Sequence, residues 1–153
     1  MPNYRGHLTG ACIIYCVIIF ALSFYTRSPI TLIEWLLCTL LGSLFPDIDT
    51  KSKGQKLFYR FTFLIACLFF VQQKFRLLGF IAILACFPLI TKHRGLLHNI
   101  WFIMSFVIIL LLGAYYIIPQ YFMPIAVDMT FFMIGVISHL WLDFGFLRMI
   151  RLR

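Results

Sequence analysis

The sequence predicts an all-α, polytopic integral membrane protein with about six transmembrane helices and both termini on the cytoplasmic side. Three observations carry that prediction. First, 63% of the 153 residues are hydrophobic and 12% are charged, with a mean hydropathy of +0.99, whereas soluble domains carry roughly 25% charged residues. Second, the apolar residues fall into runs separated by short polar or proline-bearing stretches. Third, the basic residues divide unequally between alternate connections.

A helix crossing hydrocarbon needs about 20 apolar residues, within a range of about 17 to 25. Six runs are candidates, near 8–26, 29–45, 57–72, 77–91, 99–118 and 127–147. The first follows Arg5, as a signal peptide would. The bulky, charged "SFYTRSP" after it offers no small-residue cleavage site, so it reads as a retained helix. Pro29 opens the second and Pro46 closes it, because proline is tolerated at helix edges. The third and fourth are short enough to be tilted or partly re-entrant. Pro119 and Pro124 frame the connection before the sixth. The length suits one domain, residues 1–153, with no room for a soluble appendage.

With six crossings, Arg5, Lys51, Lys53, Lys56, Arg60, Lys92, Arg94, Arg148, Arg151 and Arg153 share one side, and Arg27, Lys74 and Arg76 the other. Lysine and arginine concentrate in cytoplasmic loops, so the first group marks the cytoplasm. The net charge of +8 then answers to anionic lipid headgroups. Nucleic acid is not an expected partner. Cys12, Cys16, Cys38, Cys67 and Cys86 all lie in apolar runs without a CxxC pair, as small packing residues. The oligomeric state is open.

Seven polar residues stand out: His7, Asp47, Asp49, His93, His98, His139 and Asp143. On the topology above, all seven fall at cytoplasmic helix ends. That topology was drawn from lysine and arginine alone, so the convergence is independent of it. His139 and Asp143 are four apart and share a helix face. Asp47 and Asp49 are two apart after Pro46 and would point the same way from extended chain. His7 precedes the first span. His93 would lie in a loop and His98 in the first helical turn, with Gly95 allowing the bend. Ionisable groups near headgroup depth usually face one another or a polar interior. Histidine nitrogens with carboxylate oxygens suit zinc first, then manganese or iron, with one or two ions per chain. Asp47 or Asp49 is a candidate base and Arg94 a candidate phosphate clamp. Glu34 and Asp128 fall toward the opposite face, outside the site, with Arg27 a candidate partner of Glu34.

In order along the chain stand "GH", "LFPDID", "KGQKL", "HRGLLH" and "GVISHLWLD". Together they resemble the YdjM-like family of LexA-regulated, membrane-bound, metal-dependent hydrolases, over nearly the whole chain. The seven polar residues match that family's polar pattern. Thr50, Leu97 and Asn99 stand where family members often carry histidine, threonine and serine. The resemblance implies a distant likeness to zinc-dependent phospholipase C. It therefore implies hydrolysis of a phosphoester, expected to be that of a lipid or another membrane-associated substrate, at the bacterial inner membrane, and the charge asymmetry turns the site toward the cytoplasm. The alternative is a membrane protein that binds metal for transport, sensing or structure.

Overall fold

The structure, a computed structural model, describes residues 4–22, 28–48, 53–71, 73, 75–90 and 96–145. The described residues are almost wholly helical. In order they form α1 (Tyr4–Ala21), α2 (Pro29–Leu44), a 3-10 turn (Phe45–Asp47), α3 (Lys53–Val71), α4 (Phe75–Ile90), α5 (Ile100–Ile117), a second 3-10 turn (Pro119–Tyr121) and α6 (Phe122–Phe144).

The caps explain two of the starts. Ser28 accepts the Thr31 amide at 3.2 Å ahead of Pro29, where a missing N–H does no harm. Asn99 accepts the Trp101 and Phe102 amides at 2.9 and 3.3 Å at the head of α5. The asparagine therefore supplies the capping oxygen that a serine would. Gly145, at a φ of 72°, follows the last turn of α6.

Among the described residues, four stretches are long and apolar enough to cross a membrane: Tyr4–Ala21, Pro29–Asp47, Ile100–Ile117 and Pro119–Phe144. The expected third and fourth spans form helices but do not reach that standard. Lys53, Lys56 and Arg60 occupy the first two turns of α3. The 16 residues of α4 rise only about 24 Å, short of an apolar layer about 30 Å thick.

At the centre lies α6, packed against α1, α2 and α5. The helices α2 and α6 run parallel, and their approach is unusually close. A Cβ on Gly42 would overlap the backbone of Phe132, and one on Gly135 would overlap the carbonyl oxygen of Thr39. In hydrocarbon there is little hydrophobic drive between helices, so small residues that let backbones touch supply the packing. Below this contact Phe45, fully buried, packs edge-on to Phe132 at 5.1 Å and near Phe58 and Phe106 at 6.0 and 6.4 Å. Toward the other end the Tyr15 hydroxyl donates to the Leu32 carbonyl at 2.6 Å, tying α1 to α2. Trp35 stacks on Phe131 at 4.6 Å there. The start of α1, the ends of α2 and α6 and the start of α5 thereby meet at one end of the bundle.

Candidate metal centre

Three local features correct the sequence reading. His7 is not ahead of the first helix. It lies in α1, on the buried face that continues through Ala11 and Tyr15 at four-residue spacing. The chain after Leu44 is not extended: Phe45–Asp47 form a 3-10 turn, and Ile48 keeps helical angles of −71° and −25°. Proline is tolerated there because an early helical position leaves its missing N–H without consequence. The turn, rather than alternation along a strand, aims Asp47. His98 is not in the first helical turn; it lies in the turn just before the Asn99 cap. Asp49, His93 and Arg94 lie outside the described residues, as do Lys51, Lys92 and Arg27.

Five of the seven polar residues come together. His139 Nε2 lies 3.2 Å from Asp143 Oδ2 and 3.7 Å from Asp47 Oδ1. His98 Nε2 lies 3.4 Å from the same Asp47 oxygen. One donor atom from each of Asp47, His98, His139 and Asp143 falls within 4.8 Å of the other three. His7 stands beside this group. Its ring stacks on that of His139, centroids 3.8 Å apart and 18° from parallel, and its Nε2 lies 3.5 Å from Asp143 Oδ1. The two oxygens of Asp143 thus face two different histidines.

His139 is oriented by the close helix contact. Its Nδ1 lies 2.7 Å from the Ser43 carbonyl oxygen, which can only accept, so Nδ1 carries the proton and donates. In the neutral ring Nε2 then bears a lone pair. That nitrogen is fully buried, has no hydrogen-bond partner among the described residues, and faces two carboxylates. A lone pair against carboxylate oxygens is repulsive unless a proton or a metal cation lies between them. A backbone carbonyl holding the far nitrogen is the usual support of a metal-bound histidine.

The distances also fit. Zinc binds nitrogen and oxygen at about 2.0–2.2 Å, which puts tetrahedral neighbours about 3.3–3.6 Å apart. The three separations, 3.2, 3.4 and 3.7 Å, bracket that range, and the longest exceeds hydrogen-bond distance. Buried charge supports the same reading. The Asp143 side chain is 4% exposed and His139 not at all. A carboxylate buried as deeply as Asp143, with a second one beside it, needs cationic compensation. Asp47 and His98, at 34% and 20%, form the open edge.

Ser43, Gly42 and Gly135 are contributors that spacing of chemical groups did not single out. Their only sequence signal is small residues on apolar helices: Thr39, Gly42 and Ser43 on one, Gly135 and Ser138 on the other. Leu97, where threonine is common in the resembling pattern, is fully buried in the apolar core and supplies no donor. Glu34 and Asp128 are set apart from the cluster, as expected. They lie within electrostatic reach of each other and of Cys38 on the same pair of helices.

No curated protein and no solved structure matches the chain. The family description "YdjM inner membrane protein" matches residues 1–151, nearly every position. With that match and four apolar helices of spanning length, the chain belongs to the YdjM inner membrane protein family and is an integral protein of the inner membrane.

Proposed function

We propose that this chain is a metal-dependent hydrolase embedded in the membrane, acting on a phosphoester of a lipid or another membrane-associated substrate. The observation that carries it is the four-atom donor set of Asp47, His98, His139 and Asp143, with separations suited to one small dication. Zinc is the first choice, with manganese or iron next. Such an ion would supply Lewis acidity toward a phosphoryl oxygen and lower the pKa of water to about 7.

The chain's own groups do the rest. Ser43 holds the His139 tautomer. His7 and the apolar core close the inner side against water. Asp47, a third exposed, is the carboxylate an entering substrate meets first, placed to take a proton from water. Asp49 as an alternative base and Arg94 as a phosphate clamp complete the proposal from the sequence. His7, facing the second oxygen of Asp143, offers a donor for a second ion.

The reading also keeps six crossings, with α3 and α4 completing them, and a cytoplasmic site. Ten lysines and arginines against three support it. The test is hydrolysis of phosphatidylglycerol, a polyprenyl phosphate and a generic phosphodiester by purified, metal-loaded protein. Cleavage of at least one, lost in His139→Ala, is expected. No cleavage of any sinks the proposal.

A second reading, metal transport, is favoured by one observation: Glu34 and Asp128 lie within electrostatic reach of each other on the same helix pair as the cluster. Asp128 precedes Asp143 by 15 residues, about 22 Å of helix. Polar groups thus stand toward both ends of α2 and α6. Metal uptake into proteoliposomes, abolished by Asp128→Asn, would favour transport over hydrolysis.

A further inference from the structure

Along α3 the chain carries an open cleft of about 480 Å³, lined by Gln55, Lys56, Tyr59, Arg60 and Phe63. Its residues are ordered along the helix. Gln55 lies at the start of α3 and donates through Nε2 to the Ile48 carbonyl at 2.8 Å. That bond ties the helix to the turn bearing Asp47. Lys56 and Arg60 follow, four apart on one face and both exposed. Among the described residues neither has an ion-pair partner. The Tyr59 hydroxyl donates toward the Ala85 carbonyl at 3.4 Å, fastening α3 to α4 beside the cations. Phe63, one turn farther from the metal-centre end, is 68% exposed, and Leu64 after it 57% exposed.

The cleft therefore changes character along its length. Two cations stand near the helix end where the metal centre lies, and exposed aromatic and aliphatic carbon stands one turn farther along α3. A soluble anion needs only the first part. A molecule with an anionic phosphate head and a hydrocarbon chain uses both. The volume lies within the range of small-ligand sites, about 300–1,000 Å³. Lysine and arginine at a membrane surface are also the usual counterparts of anionic lipid headgroups.

We propose that this cleft is a binding site for a single anionic phospholipid, its phosphate between Lys56 and Arg60 and an acyl chain along Phe63. The site does not require hydrolysis, since none of its residues belongs to the donor set.

The test is native mass spectrometry of protein released from nanodiscs of equal phosphatidylglycerol and phosphatidylcholine, with inorganic phosphate as competitor. Wild type should retain phosphatidylglycerol over phosphatidylcholine. The Lys56→Gln/Arg60→Gln double variant should lose about tenfold of that preference. Phe63→Ser should weaken retention of lipid while the cations remain. Asp47→Asn and His139→Ala should retain lipid as wild type does, which separates this site from the hydrolase reading. Equal retention of the two lipids by wild type, or an unchanged preference in the double variant, overturns the proposal. Displacement of lipid by millimolar inorganic phosphate would assign the cleft to a free anion and also overturn it. If the double variant does not purify, Lys56→Gln alone, with about a threefold loss expected, decides the matter.

Discussion

Gly135→Ala is a one-methyl change whose consequence reaches a metal site it does not touch. A Cβ at position 135 would overlap the Thr39 carbonyl oxygen and stand 2.8 Å from the Ser43 amide nitrogen. Ordinary contact requires about 3.5 Å, so α2 and α6 must part by on the order of 1 Å. The bond from His139 to the Ser43 carbonyl, now 2.7 Å, would lengthen to about 3.7 Å and cease to be a hydrogen bond. His139 would then lose what fixes its tautomer and its aim at Asp47 and Asp143. Loss of such a supporting bond typically weakens metal affinity about 10- to 100-fold. Overpacking itself costs about 1–3 kcal/mol, so the protein should still fold. The assay is zinc titration of detergent-purified protein against a competing chelator, with a thermal melt to confirm folding. Ala11→Gly, at a fully buried position on α1, serves as a packing control expected to lose stability with less effect on affinity. A Gly135→Ala protein that folds and binds zinc as tightly as wild type would refute the link between helix approach and ligand orientation.

Other outcomes follow from the same geometry. His139→Ala and Asp47→Ala should each abolish bound metal, read by elemental mass spectrometry, because each removes one of the four clustered donors. His7→Ala should reduce affinity without abolishing binding, since His7 stacks beside that set; complete loss of metal would make it an obligatory ligand. Removing metal with a chelator should lower the melting temperature, and saturation at about 100 times the dissociation constant should restore about 2.7 kcal/mol. Asn99→Ala removes the oxygen that caps α5 and should cost about 1 kcal/mol, seen as a lower melting temperature, with Asn99→Ser restoring most of it.

Much of the site could be read in the sequence because membrane proteins index depth. Helical rise converts residue number into height, and lysine and arginine mark the side. Both act on residues one at a time, so they placed His7, Asp47, His98, His139 and Asp143 at one end before any contact was known. Local detail was less accessible. Asp47 and Asp49 are spaced as alternate residues of a strand would be, yet Phe45–Asp47 follows a helix directly, and Pro46 fits the 3-10 turn that continues it. The first apolar run starts near residue 8, which sets His7 ahead of it, although α1 begins at Tyr4.

Composition, run length and charge asymmetry by themselves determined that this is a helical membrane protein, and they set His7, Asp47, His98, His139 and Asp143 at the same ends of their helices. Only the tertiary structure decided which groups meet. Rotation about each helix axis and the choice of neighbour are not functions of residue height. They depend on where two backbones can touch, and here Gly42 and Gly135 let α2 and α6 do so. That contact brings the Ser43 carbonyl to His139 and turns the opposite nitrogen toward Asp47 and Asp143. It also brings Glu34 within electrostatic reach of Asp128, a proximity that no count along the chain contains, because it arises between helices joined only by packing.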